Sequence, residues 1–283
     1  MRVATHPRQS FAITGLTLLP CFIFLAYILV RLGPTHTNLL GLGISFIFAL
    51  LVWLVRSATA HAAAAGGLIA ATLYLGTVRQ PDGYWWQTAF LPLIALLLLT
   101  LFSTHFRRNK KEQLGLAEAR TGRHAGQVCA NLGAAALAAA IFAYSGASSR
   151  LHTIEMLAVT AAFVEATADT MSSEIGQAIQ GKTILLTSGQ IVSPGTDGGM
   201  SVAGTLAGCA GGAVVAAVSG ICMGLRTQQA LFCWLAGVAG IFFDSWLGAT
   251  LERKHLLGND AVNFFSTSFS ALLAVIFGPL LLH

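Results

Sequence analysis

Apolar residues arrive in runs long enough to cross a bilayer, and little else in the sequence constrains the fold so strongly. The runs fall at about 11–31, 38–55, 60–78, 86–105, 125–145, 151–168, 202–223, 227–248 and 261–282. Most of them approach the ~20 residues a transmembrane helix needs. Hydrophobic residues make up 55% of the chain and charged residues 10%, against roughly 25% charged in a soluble domain. Water-soluble classes are thereby excluded. The expected fold is all-α: a single polytopic membrane domain, residues 1–283, of about nine transmembrane helices joined by short Gly-rich loops. It divides into four N-terminal spans (1–105), a basic loop (106–124) and five spans bearing the polar motifs (125–283). The first apolar run is too long for a signal-peptide h-region and lacks a small-residue cleavage site, so it reads as a span.

The placement of charge sets the expected orientation. Counted over alternate loops, one side holds Arg2, Arg8, Arg56, Arg107, Arg108, Lys110, Lys111, Arg120, Arg123, Lys182, Arg253 and Lys254; the other holds Arg31, Arg79, Arg150 and Arg226. Because Lys and Arg are retained on the cytoplasmic side, the N-terminus is expected in the cytoplasm and the C-terminus outside, in an inner (cytoplasmic) membrane. The run RRNKK (107–111) reads as a topology anchor touching anionic lipid rather than a nucleic-acid patch. Cys21, Cys129, Cys209, Cys222 and Cys233 all lie in apolar runs with no C-x-x-C pairing, which indicates small core residues.

The first four spans are mostly Leu-, Ile- and Phe-rich, as suits a structural role facing lipid. HAAAAGG (61–67), AAALAAA (134–140) and GCAGGAVVAAVSG (208–220) are crowded with small residues. Small residues let helix backbones approach closely in lipid, so these segments are expected at the tightly packed centre, or merely insert easily; such faces also suit a homodimer.

Polar residues concentrate in a few places. Glu165, Asp169 and Ser173 share one helical face at i, i+4 and i+8. With the sixth span starting near Leu151, Asp169 lies roughly 27 Å along it, at the cytoplasmic edge of the hydrocarbon core. Asp244, roughly 26 Å along the span that starts near Thr227, reaches the same level. Carboxylates at such depth are costly and mark function by default. Asn259, Asp260 and Asn263 open the last span from that side, and PGTDGGMS (194–201) leads into the seventh. Carboxylates on separate helices suit Mg²⁺ shared with substrate phosphates. The PGTDGG turn either brings backbone amides to phosphate or simply makes a tight turn. Arg123, Gln127 and Asn131 form a further stripe, which either bridges helices or faces phosphate.

GQAIQGKT (176–183) fits the phosphate-loop pattern G-x-x-x-x-G-K-[ST], which works only between a buried strand and a helix. The preceding residues read as a membrane helix and the following TILLTSGQIVSPG as short extended structure. The match is therefore expected to be accidental, with Lys182 still near phosphate as a point charge.

TADTMSSEIG (167–176), SPGTDGGMSVAGT (193–205), DSWLGATLE (244–252) and NDAVNFFST (259–267), preceded by GRHAGQVCANLG (122–133), together resemble a family of multi-span proteins first catalogued as domain of unknown function ninety-two, which includes the phytyl-phosphate kinases of plants and cyanobacteria. The resemblance is specific over about 120–270 and weaker over the first four spans. Relatives often carry Gly-Asp-Thr where this chain has Ala168-Asp169-Thr170. The resemblance implies a CTP-dependent, Mg²⁺-dependent kinase that turns an isoprenyl monophosphate into the diphosphate at the cytoplasmic face. The acid-rich helix followed by a Pro-Gly turn is similar also to CDP-diacylglycerol synthases, so a CTP:lipid-phosphate cytidylyltransferase is the alternative; a transporter is the non-enzymatic one.

In the kinase reading Asp169 and Asp244 hold Mg²⁺ with Asp197 as a weaker third, and Ser173 supports them. Arg123, Lys182 and the Thr196, Asp197, Gly198, Gly199 and Ser201 turn contact phosphates. Gln127, Asn131, Asn259 and Asn263 orient nucleotide or lipid phosphate. Glu165 is a general base if the acceptor is an alcohol, and a supporting residue otherwise.

Overall fold

The computed structural model describes residues 6–78, 84–144 and 149–282; Arg2 and Arg79 of the charge count fall outside them. The chain is built from helices α1 (Pro7–Leu32), α2 (His36–Leu54), α3 (Ala60–Thr77), α4 (Phe90–His105), the short α5 (Arg108–Gln113), α6 (Ala125–Tyr144), α7 (Ser149–Ile179), α8 (Val202–Met223), α9 (Thr227–Leu247) and α10 (Asn259–Phe277). Between α7 and α8 lie three short strands, β1 (Thr183–Leu185), β2 (Ile191–Val192) and β3 (Gly199–Ser201). They form an antiparallel sheet in the order β2-β1-β3.

Among the described residues six helices are long and apolar enough to cross a membrane: Pro7–Leu32, His36–Leu54, Arg150–Ile179, Val202–Met223, Thr227–Glu252 and Asn259–Leu281. Two more, Phe90–His105 and Ala125–Ile141, are apolar but shorter. The remaining expected span coincides with α3, whose Ala- and Gly-rich sequence is 18 residues long.

Local signals explain where the helices begin and end. Pro7 occupies the first turn of α1, where its missing N–H is no loss. The hydroxyls of Thr35, Thr59 and Ser201 accept from the backbone N–H groups of Asn38, Ala62 and Gly204, capping α2, α3 and α8. Gly224 ends α8 in the left-handed conformation.

The sixth expected span, read as 151–168, is part of the longest helix. α7 runs 31 residues, and 83% of its most apolar stretch is buried within the protein, against 28% for α1 and for α2. Its small residues, among them Ala158, Ala161, Ala162, Ala166 and Ala168, are fully or almost fully enclosed. Glycines on neighbouring helices make this possible. A Cβ on Gly208 of α8 would strike the Ser172 hydroxyl and come 2.5 Å from the Ala168 carbonyl oxygen; one on Gly204 would strike the Ser172 carbonyl. On α9, Gly237 faces Val164, and Gly240 faces both Glu165 and Ser270 of α10. The glycines of the Gly-rich seventh span are thus consumed by packing within one chain.

The other small-residue pair, α3 and α6, meets where Gly76 leaves room for the Ala139 backbone. α1 is tied to α10 at one end of the bundle: the Ser10 hydroxyl donates to Asp260 Oδ2 at 2.5 Å, and Gly258 N–H donates to Gln9 Oε1 at 2.8 Å.

The basic loop is more than a membrane anchor. Lys111 is wholly buried; its ammonium pairs with Glu174 near the end of α7 and donates to the carbonyls of Ser103 (3.0 Å) and Thr104 (2.8 Å). A buried charge stripped of its partner is penalised by several kcal/mol. Lys111→Met is therefore expected to destabilise the protein by roughly 3 kcal/mol. The double variant Lys111→Met/Glu174→Gln should recover much of that loss in thermal unfolding of the detergent-solubilised protein. Equal melting temperatures for wild type and Lys111→Met would show the pair to be dispensable.

Candidate active site

One end of the bundle gathers the C-terminal ends of α7 and α9, the three-stranded sheet and the N-termini of α8 and α10 around a cavity of about 140 Å³. α7 contributes Asp169, Ser172 and Ser173 to its lining, α9 contributes Asp244 and Ser245, and the loop before α8 contributes Thr196, Asp197, Gly198, Gly199 and Ser201. Asn259 of α10 completes the ring. Nine of the fifteen residues singled out from sequence thus meet in one place, although they are spread along the chain from 169 to 259.

The pieces are held by close backbone contact. Gly198 has φ +73°, and a Cβ there would strike the Ala249 backbone just past α9, while a Cβ on Gly248 would come 2.7 Å from Gly198 N. The chain at 248–252 is a π-helical turn, a local widening frequent at functional sites. It brings Glu252 into the cavity. Within the loop, Gly199 N–H donates to the Thr196 carbonyl at 2.8 Å and the Thr196 hydroxyl to the Ser193 carbonyl at 2.7 Å. Ser201 has a second task as the cap of α8.

Electrostatically the site is acidic. Asp244 interacts with the charges of Asp169 and Glu252, and Glu252 with those of Asp169 and Asp197. Ser266 of α10 donates to Asp244 Oδ2 at 3.1 Å. Arg123 is the cation whose charge acts on Asp169. At the rim, Asp197 keeps an exposed surface. Partial loss of solvent pushes its carboxyl above the ordinary aspartate range, with Arg253 and His255 pulling it back.

Glu165 lies one turn deeper on α7, 1% exposed, between α7, α9 and α10. Among the described residues its Oε1 finds no hydrogen-bond partner, and neither does the Ser172 hydroxyl. Glu165 is a neighbour of the cavity rather than part of its wall.

The remaining candidates lie elsewhere. Lys182 is exposed and outside the cavity, in keeping with the fate of the phosphate-loop pattern: residues 176–179 end α7, Gln180 turns at φ +60°, and β1 follows at Thr183. The strand-loop-helix setting is missing. Gln127 closes its own helix, its Oε1 accepting from His124 N–H at 2.9 Å while its Nε2 donates to Glu118 at 3.3 Å. Asn263 does not line the cavity; its carbonyl accepts from Ser266 and Thr267. Arg123 and Asn131 line a second, larger cavity next door. Glu252, Ser172, Ser245 and Ser266 were missed as site residues. Glu252 had a usable signal, being eight residues after Asp244 on what reads as the same helix, and Ser172 stands beside the Asp169 and Ser173 face; Ser245 and Ser266 had none.

Arg123 is placed by its backbone. Its N–H donates to the Ser57 carbonyl (2.9 Å) and its carbonyl accepts from Thr59 N–H (3.0 Å). The preceding Gly122 (φ +80°) lies so close to residues 56–58 that a Cβ would come 2.5 Å from the Ser57 carbonyl carbon. This pins the second half of the chain to the first.

No group of three or more His, Cys, Asp or Glu able to cage a metal exists among the described residues. The donor set still fits a magnesium ion, which is typically held by one or two carboxylates and completed by water and substrate phosphates. Asp169 and Asp244 supply that pair, and the unpartnered Glu165 and Ser172 oxygens stand beside it.

This arrangement, carboxylates from two membrane helices facing a Gly-rich turn, is that of an integral membrane protein with a polar site at one end of its bundle. Residues 43–271 match the family described as Integral membrane protein DUF92; the chain belongs to that family. It is 30% identical over 219 residues to Protein VTE6, chloroplastic, of Arabidopsis thaliana, covering 76% of this chain and 65% of the relative. An uncharacterized membrane protein of Synechocystis is 34% identical over 190 residues (66% of this chain, 72% of the relative). One of Methanocaldococcus jannaschii is 37% identical over 112 residues (39% and 46%). The chain thus spans just under two thirds of the length of the Arabidopsis relative. No solved structure matches.

Gly198→Ala is expected to displace the loop from α9, because a left-handed conformation costs a non-glycine residue about 1–2 kcal/mol and the Ala249 backbone cannot yield. Gly195→Ala (φ +81°) meets only the Leu116 side chain and should lower the melting temperature less. The reverse order would show that the loop is not seated on α9.

Proposed function

We propose that the chain is a phosphotransferase of the membrane face, converting an isoprenyl monophosphate to its diphosphate with CTP as donor and Mg²⁺ as cofactor. The observation that carries this reading is the meeting of Asp169 and Asp244, from separate membrane helices, with the Gly198–Gly199 turn in one polar cavity. The family resemblance supports the phytyl-like substrate class. The loops at this end hold most of the basic residues, among them Arg107, Arg108, Lys110, Arg120, Arg253 and Lys254, which supports a cytoplasm-facing site in the inner membrane.

Phosphoryl transfer asks a protein for position and charge neutralisation more than covalent help. The γ-phosphoryl group leaves the β–γ bridging oxygen, whose electron pair departs with CDP, and bonds to an oxygen of the lipid phosphate. That acceptor is already an anion, so no base need take a proton from it. Glu165, enclosed just behind the cavity wall, is then a positioning residue for Asp169 and Asp244. Magnesium held by Asp169 and Asp244 would neutralise phosphate charge. The Gly198 and Gly199 turn lets the backbone approach phosphate oxygens without Cβ hindrance. Arg123 offers the transferring group a cation, and Asn259 and Ser173 offer hydrogen bonds at the cavity edge.

Incubation of the purified protein with labelled CTP, Mg²⁺ and geranylgeranyl monophosphate should release CDP. Pyrophosphate would instead indicate a cytidylyltransferase, and neither product would remove the enzymatic reading. Asp169→Asn and Asp244→Asn should each lower turnover by at least about 10²-fold, the scale of one lost electrostatic contact to the transition state, while the variants retain the wild-type elution profile. Full activity in either would remove it from the site. Lys182→Ala should stay within about twofold of wild type, its side chain being exposed away from the cavity.

A further inference from the structure

A cavity larger than the acidic one, and of opposite charge, lies beside it. α2, α3, α4, α6 and the basic loop enclose a space of about 430 Å³, within the roughly 300–1,000 Å³ of small-molecule sites. Its interior is apolar, formed by Phe48 and Val52 of α2 and Leu93, Leu96 and Leu97 of α4. Its mouth is cationic, with Arg56, Arg108, Arg120 and Arg123 set against only two carboxylates, Glu112 and Glu118.

Those carboxylates are already engaged. Glu112 accepts from Arg108 and from Arg120, each at 3.1 Å, and Glu118 accepts from Gln127. Both arginines hold Glu112 well within the charged carboxylate range. Arg56 and Arg123 have no carboxylate within ion-pair distance among the described residues. Arg56 is held in a left-handed turn (φ +56°) at the end of α2, and Arg123 is anchored through its backbone to the same turn. Two guanidinium groups in excess over an aliphatic pocket are complementary to an amphiphile with an anionic head and one hydrocarbon tail.

We infer that this cavity is the acceptor site, taking a single-chain lipid phosphomonoester with its tail between α2 and α4 and its phosphate on Arg56 and Arg123. The identity of the head as an acceptor phosphate rests on the phosphotransferase reading; its location rests on the cavity alone. Arg123 belongs to this cavity, yet its charge acts on Asp169 of the acidic one, so an acceptor phosphate bound here lies beside the donor site. The N-terminal helices then build half of the active centre rather than merely supporting it.

Photo-crosslinking of the full-length protein with a dodecyl phosphate bearing a terminal diazirine tests the assignment. Labelled peptides should come from α2 and α4, and dodecyl phosphate should compete where dodecanol and inorganic phosphate do not. Leu97→Trp, which fills the cavity, and Arg56→Gln combined with Arg123→Gln should each reduce labelling about tenfold or more, as expected for loss of packing space or of charged hydrogen bonds. Leu97→Trp should leave binding of labelled CTP with Mg²⁺ unchanged. Labelling on the lipid-facing sides of α1 or α8, or equal competition by dodecanol, would overturn the acceptor site; so would competition by inorganic phosphate as strong as by dodecyl phosphate. The wild-type competition pattern decides the matter even if a variant fails to fold. Absence of CTP binding in the wild type would defeat the phosphotransferase reading, while the crosslinks would still report on the cavity.

Discussion

The structure depends on backbone-to-backbone approach of α8 and α9 onto α7. In a membrane, apolar side chains gain nothing by leaving lipid for one another, so helices associate where small residues allow extensive van der Waals contact. Gly204 and Gly208 on one side and Gly237 and Gly240 on the other supply that contact. The consequence is chemical as well as mechanical. Asp169 and Asp244 are brought to the wall of one cavity, and the space beside Gly240 is filled by the side chain of Glu165. Larger residues at these glycines would separate the helices and the carboxylates together.

Much of this was legible in the sequence, for definable reasons. Glu165, Asp169 and Ser173 repeat at helical spacing, and charged residues so deep in an apolar run have few explanations other than function. Asp169 and Asp244 were placed at the same level by counting rise per residue, the PGTDGG turn was placed at that face because it leads into the seventh span, and the structure joins the three. The false phosphate loop was also legible, since no strand could precede GQAIQGKT. What the sequence left hidden is three-dimensional reuse. Lys111 reads as one more lysine of a basic loop, yet it is buried on Glu174, 63 residues away. Gln127 sits on the right helical stripe but spends both ends of its amide on local contacts. The π-helical turn at 248–252, which brings Glu252 into the cavity, has no periodicity that distinguishes it from α-helix.

Helix count was harder to read than helix content. α7 exceeds the bilayer thickness and is interrupted by acids, so hydropathy alone renders it short and irregular; its burial inside the bundle removes the need to be apolar. α4 is apolar but 16 residues long, and α3 and α6 are built largely from alanine and glycine, so the three read as spans less strongly than α1 or α2. They are sheltered instead by neighbouring helices, as the burial of Ala62, Ile69, Leu73, Ala135 and Ala139 indicates. Hydropathy reports what a helix meets when it is alone in lipid, and these helices are not alone.

In the proposed reaction between two anions, the two cavities would divide the electrostatic labour. Donor polyphosphate and acceptor phosphate repel one another, and a single basic pocket would bind both without ordering them. Here the carboxylate-lined cavity suits a ligand that arrives with its own cation, and the arginine-rimmed cavity suits one that arrives without. Arg123 stands at the junction, fixed by Gly122 to the 56–58 turn and within electrostatic reach of Asp169. A cation at that point would attract both phosphates of the proposed reaction, and its backbone is held by hydrogen bonds to Ser57 and Thr59. Its guanidinium therefore needs no structural carboxylate partner and remains available to the ligands.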